Sequence, residues 1–241
     1  MTATRFVVVG IGEDGWAGLT GAARDTLAHA DVVYGSPRQL DLISADVDAP
    51  RLHPWRSPMS RHLAEVLDAP PVPVVHVLAS GDPMFHGVGA SIVRKVGAER
   101  VTVLPHVSSA SLACARLGWD VAGIHIVSAV TGPPEAIAPH LTDGRRILVL
   151  SRDAHTPSQV LTVLRNNGFG ASQVRVLERL GGPEERIVDA SPGNTGPDDV
   201  HPLNVIAVDC RGPRRPITPG LPDAEYENDG QLTKEPVRAL S

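Results

Sequence analysis

The sequence predicts an α/β fold in two domains, a parallel-sheet N-terminal domain followed by a mixed-sheet C-terminal one. Three observations carry this reading. Short runs of Val, Leu and Ile alternate with amphipathic stretches through the first half of the chain. The runs are continuously apolar, as expected of parallel strands covered on both faces by crossover helices. The alternation relaxes over 117–123, and beyond it the last strands follow one another without helices between them, the mark of antiparallel pairing. The expected bounds are 1–118, 119–211 and a tail at 212–241.

Taken in order, "RFVVV" (5–9) is a strand and "LTGAARDTLAHA" (19–30) a helix capped by Thr20. "DVVYG" (31–35) is a second strand, and "SPRQLDLI" (36–43) a short helix with Pro37 in its first turn. A long loop at 51–62 leads to a helix at 60–68. Strand 72–79, helix 89–97, strand 100–105 and helix 108–118 complete the first domain. The second reads as strand 124–128, helix 134–141, strand 146–150, helix 156–167, then strands 173–178, 186–190 and 203–208 as an antiparallel meander. The tail is rich in Pro and charge and reads as an exposed segment, poorly packed after about 212.

Composition excludes several functions. The 241 residues are 42% hydrophobic and 20% charged, ordinary for a globular chain of this length. Net charge −5 and a pI near 6.0 give no field that would gather nucleic acid or an anionic membrane. Cys114 and Cys210 make neither a disulfide framework nor a zinc site, so no metal is expected and a cytoplasmic location fits. No signal peptide is expected at "MTATRFVVVG", and no apolar run approaches the ~18 residues of a membrane span.

Three loops sit where strands end, the usual place for ligands in α/β sheets. In "VGIGEDG" (9–15), Gly10, Gly12 and Gly15 satisfy the G-x-G-x-x-G pattern of dinucleotide binding. A helix should then open inside the motif, but the best cap is Thr20, and no acid follows the second strand to hold a ribose. In "LASGDPMFHGVG" (78–89), Gly81 permits a close backbone approach and Pro83 biases Asp82 toward an extended conformation. Asp82 would then face loop N–H groups, ribose hydroxyls or a cation; as a plain turn it would only end the strand. In "LPHVSSASLACARLG" (104–118), Ser108 and Ser109 open a helix, where capping is expected with or without a ligand.

Together these loops resemble the signature loops of the tetrapyrrole methylases, two-domain S-adenosylmethionine-dependent enzymes of cobalamin and siroheme biosynthesis. The resemblance runs from residue 5 to about 210. "ERLGGPEERI" (178–187) is similar to the branch that methylates a precorrin at C5 and C15 with decarboxylation. In the bifunctional form of that branch, such a domain is fused to a second methyltransferase domain, and "GLPDAEYENDGQLTKEPVRAL" (220–240) resembles the lead-in to it. The resemblance implies S-adenosylmethionine in the interdomain cleft, a precorrin substrate, a homodimer, and cooperation with a domain that carries out the C15 methylation and decarboxylation. It implies cofactor contacts at Gly81, Asp82, Phe85, Ser108, Ser109, Ser151 and Leu180. Many relatives have Gly-Pro-Gly in the first loop, where this chain has Glu13 and Asp14 in the last two places, so a proline contact does not carry over.

Methyl transfer to an enamine-like meso carbon needs orientation above all, which agrees with the lack of a Ser-His-Asp or Cys-His arrangement. His86, His106 or solvent would collect the displaced proton. A polycarboxylate substrate calls for local cations. "RLHPWRSPMSRH" (51–62) holds Arg51, Arg56 and Arg61 around Trp55 with no acid. As a substrate-side lid, its arginines would pair with carboxylates and Trp55 would stack on the ring; as a plain basic loop it would be solvated. Arg152 and Arg179 are further candidates. The rival readings are another methyltransferase of the same family, an NAD(P)-binding oxidoreductase, and a non-catalytic cofactor-binding module.

Overall fold

The computed structural model describes residues 4–193, 196–197, 199–214 and 234. Strand β1 (Arg5–Ile11) is flanked by β4 (Val74–Ser80) and β5 (Val101–Leu104). Strand β2 (Val33–Gly35) pairs with β4 on its far side, and β3 (Leu52–Pro54) forms the edge. All five are parallel, in the order β3-β2-β4-β1-β5.

This order explains the two-faced burial. From β1 the chain moves toward the β3 edge through α1 (Gly15–Gly18), α2 (Gly21–Ala28) and α3 (Pro37–Asp41). It returns the other way through α4 (Met59–Asp68) and α5 (Val88–Val96). Right-handed crossovers running in opposite directions put their helices on opposite faces. Val9, Ile11 and Leu78 accordingly pack with Leu27 and Leu40, while Val8, Val77 and Ala79 pack with Leu63 and Ile92. The helix starts follow local chemistry. Thr20 Oγ1 accepts from Ala23 N at 3.2 Å, and Ser36 with Gln39 forms a reciprocal capping box ahead of Pro37.

The second sheet has the order β6-β7-β10-β8-β9. Strands β6 (His125–Ser128) and β7 (Arg146–Leu150) are parallel; β8 (Gln173–Glu178) and β9 (Arg186–Ala190) form an antiparallel pair. The expected meander is corrected here. Strand β10 (Asn204–Asp209) inserts between β7 and β8, antiparallel to both. The reason is burial: "NVIAV" is buried throughout and needs a neighbour on each side, whereas "RIVDA" is largely exposed and takes the edge. Helix α7 (Thr156–Asn166) and a 3₁₀ stretch at Pro134–His140 cover one face. That stretch replaces an expected helix, because Pro139 removes an N–H that an α-helix needs. Helix α6 (Ser109–Leu117) covers the other face. Its small residues Ala110, Ala113 and Cys114 pack on Leu148, Leu177 and Val205.

The 51–62 segment is not a free loop. A 3₁₀ turn at Ala49–Arg51 leads into edge strand β3, which pairs Leu52 with Val33. Among the described residues no helix is long and apolar enough to cross a membrane, and no cluster of metal-binding side chains occurs. Both cysteines are free and buried, and burial pushes the Cys210 thiol up to about 11. Residues 215–233 and 235–241, most of the expected tail, lie outside the described residues.

Candidate active site

The three signature loops meet at one point, and glycines permit it. A Cβ on Gly10 would stand 2.2 Å from the Gly81 carbonyl oxygen and 2.6 Å from the His106 nitrogen. Gly81 adopts φ +59°, and its N–H donates to the Ile11 carbonyl at 2.9 Å. A Cβ on Gly87 or Gly89 would meet the Pro83 carbonyl oxygen at 2.5 or 2.8 Å. The glycines of "VGIGEDG" therefore serve approach between loops. A helical turn does begin at Gly15, but it ends where Leu19 becomes extended, and the packed helix starts only at Gly21. Strand β4 also separates β1 from β2, unlike the 3-2-1-4 order of a dinucleotide-binding sheet.

Beyond this junction a cleft of about 470 Å³ opens, walled by strand ends and loops of both sheets. Small-molecule sites commonly fall at ~300–1,000 Å³. Gly81 and Phe85 reach it from the second signature loop and Ser109 from the third, Ser151 and Leu180 from the ends of β7 and β8. Two expected residues do not line it. Asp82 Oδ1 accepts from Met84 N at 2.8 Å in a tight turn, and Ser108 Oγ caps α6 by accepting from Ser111 N at 3.1 Å. Trp55 lines the cleft, stacked on Tyr34 with centroids 4.9 Å apart and met edge-on by His62. Met59, Val107 and Val130 give it an exposed apolar rim. Of the residues that line the cleft, Trp55 Nε1, Ser151 Oγ and Asn204 Oδ1 are buried without a hydrogen-bond partner among the described residues.

None of the three arginines expected to hold substrate lines the cleft. Arg51 pairs with Asp48 at 3.3 Å; Arg56 and Arg61 both pair with Glu65, at 2.5 and 3.2 Å. Arg152 donates to the carbonyls of Val130 and Gly132. His86 is the one histidine among the described residues that lines the cleft, whereas His106 stands behind the first loop, 3.4 Å from Asp14.

The charges that do face the cleft form one cluster. Glu13 is 8% exposed, and its carboxylate accepts from Nη1 of Arg38 and, at 3.0 Å, from Nε of Arg179. Arg38 also donates to Ser80 Oγ at 2.9 Å, and Arg179 to Glu184. The loop after β8 lies directly on the first loop, since a Cβ on Gly182 would fall 2.6 Å from that of Glu13. The same loop is tied to α6 by Arg116 and Glu185, whose carboxyl the guanidinium holds below its ordinary range.

The sequence signature of the Tetrapyrrole (Corrin/Porphyrin) Methylases matches residues 5–194. This chain belongs to the tetrapyrrole methylases. It is 43% identical over 239 residues to the precorrin-6Y C(5,15)-methyltransferase (decarboxylating) of Mycobacterium tuberculosis, covering 98% of this chain and 59% of that protein. It is 28% identical over 187 residues to the cobalt-precorrin-7 C(5)-methyltransferase of Salmonella typhimurium, 76% of this chain and 88% of that one. The crystal structure of a cobalamin-biosynthesis precorrin-6Y methylase from Archaeoglobus fulgidus superposes with TM-score 0.65 at 26% identity, over 86% of this chain and 98% of that chain.

As a tetrapyrrole methylase, the chain has a cleft that fits a cofactor of nucleoside size. Its walls are largely apolar, its backbone is open at Gly81, and three lining residues carry polar atoms with no partner among the described residues. Sequence reasoning missed the shared ion cluster as a unit. Glu13 was visible as a departure from Gly-Pro-Gly and Arg179 as a nearby cation, but Arg38 lay hidden in a short capped helix.

Proposed function

We propose that this chain is an S-adenosylmethionine-dependent C-methyltransferase acting on a precorrin, with transfer to C5. The observation that carries this reading is the convergence of Gly81, Phe85, Ser109, Ser151 and Leu180 on one cleft, from both sheets. The relatives named for C5 and C5,15 methylation support the substrate class. The cofactor supplies an electrophilic methyl group on a sulfonium.

The protein's part is orientation and exclusion of water, worth effective molarities up to ~10⁵–10⁸ M in favourable cases. Gly81 and Phe85 at the end of β4 and Ser109 at the start of α6 would hold the cofactor on one side, Ser151 and Leu180 from the second sheet on the other. Trp55 and the rim at Met59, Val107 and Val130 offer apolar surface to the flat macrocycle. The imidazole of His86 takes the proton displaced from the methylated carbon. Transfer to C5 and C15 from one cleft would require each carbon in turn to lie in line with the same sulfonium. We therefore assign a single methylation to this chain, as a homodimer working with a separate C15-methylating and decarboxylating domain.

Calorimetry should show S-adenosylmethionine and S-adenosylhomocysteine binding in the micromolar range, about −8 kcal/mol. NADH binding without sulfonium binding would reject the reading. Mass spectrometry of the product from reduced precorrin should show one added methyl and no loss of carbon dioxide; two methyls with that loss would reject the division of labour.

A further inference from the structure

Two arginines at opposite walls of the cleft share one buried acid. Arg38 comes from α3 of the first sheet and Arg179 from the end of β8 in the second, and both line the cleft. Their side chains are 34% and 30% exposed, while that of Glu13 between them is 4% exposed. A guanidinium carries five N–H donors. Arg38 uses two of them, on Glu13 and Ser80. Arg179 likewise uses two, on Glu13 and Glu184. Three donors on each guanidinium thus have no acceptor among the described residues. Two cations brought this close repel each other, and the shared carboxylate offsets that repulsion and fixes their geometry. The cluster is short of acceptors and open on its cleft side.

We propose that Arg38 and Arg179, held together by Glu13, are the receptor for a peripheral carboxylate of the substrate. This role moves the anion-binding function from the 51–62 segment, whose arginines are paired outside the cleft, to the joint between the two sheets. It also makes binding of an acidic substrate report on the approach of the sheets, because the receptor is complete only when β8 and α3 face each other. The inference rests on the methylase reading of the cleft and deepens it.

The test uses the full chain with two probes, S-adenosylhomocysteine by calorimetry and the octacarboxylate uroporphyrin I by fluorescence quenching. Arg38→Gln and Arg179→Gln should each weaken uroporphyrin at least tenfold, flatten its salt dependence, and leave S-adenosylhomocysteine within about twofold. Arg24→Gln, on the exposed face of α2, controls for loss of one positive charge. Glu13→Gln removes the carboxylate that holds the two guanidiniums together, so uroporphyrin affinity should fall severalfold while S-adenosylhomocysteine stays within about twofold. A cluster that merely latched the sheets would instead lose both probes with Glu13→Gln, which would overturn the proposal. So would arginine variants that leave uroporphyrin affinity unchanged. If a glutamine variant does not fold, Arg179→Lys keeps the charge but not the fork, and should weaken uroporphyrin alone by severalfold; no change there counts against the receptor. Failure of the wild-type chain to bind S-adenosylhomocysteine would reject the methylase reading itself.

Discussion

Gly10→Ala is the smallest change that reaches all three signature loops. The added Cβ would stand 2.2 Å from the Gly81 oxygen and 2.6 Å from the His106 nitrogen, both backbone atoms. Ordinary contact begins near 3.4 Å, so the Gly81 carbonyl must retreat by about 1.2 Å, the difference of the two distances. Gly10 has little room to move away, because it pairs with Ala79 of β4 and the preceding Val9 is paired on both sides, with Leu78 and Leu104. Overpacking of this kind costs ~1–3 kcal/mol, a fall of roughly 2–4 °C in Tm per kcal/mol for a chain of this size. The displaced backbone is the part of the 78–89 loop that walls the cleft, so cofactor affinity should fall at least tenfold. Differential scanning fluorimetry and S-adenosylhomocysteine calorimetry read the two effects. Gly21→Ala is the control: a Cβ there meets nothing within 4 Å, and at the start of α2 it should leave both values unchanged or raise Tm slightly. A Gly10→Ala protein with unaltered Tm and affinity would refute the claim that the glycines serve contact between loops.

Gly81→Val should abolish S-adenosylhomocysteine binding in the same calorimetry, because valine is strained at φ +59° and its Cβ would press on the Val107 carbonyl at 3.1 Å. Trp55→Leu should weaken uroporphyrin more than the cofactor, and should also lower Tm because Tyr34 loses its stacking partner. Cys210 and Cys114 should resist a disulfide thiol reagent at pH 8 and react only on unfolding, since burial raises both thiols and the thiolate is the reactive form. Burial works to raise the Glu178 carboxyl, but hydrogen bonds from Arg186 and His201 N outweigh it and hold the group below its ordinary value of 4.5, as Arg116 does for Glu185. A depressed folded value gives stability that is present above pH 4.5 and lost as pH falls through the folded values. Urea melts should show that loss, and Glu178→Gln should reduce it.

The sequence by itself determined the elements, because their signals are local. Continuous apolar runs marked four of the five strands of the first sheet, Thr20, Pro37 and Ser108 marked helix starts, and the glycine loops marked the ligand end of the sheet. It also placed Gly81, Phe85, Ser109, Ser151 and Leu180 on the cleft through resemblance to a family. Tertiary structure alone decided what depends on residues far apart. β10 takes the centre of its sheet because a fully buried strand must bond on both edges, and no local pattern names its neighbours. The basic 51–62 segment proved to be an edge strand and a helix start, its arginines satisfied by Asp48 and Glu65 instead of a ligand. The cleft's own charge came from Glu13, Arg38 and Arg179, separated by 25 and 166 positions. A buried carboxylate must find cations wherever the fold brings them: packing around the first sheet brings Arg38 to Glu13, and only the folding of the second sheet against it brings Arg179.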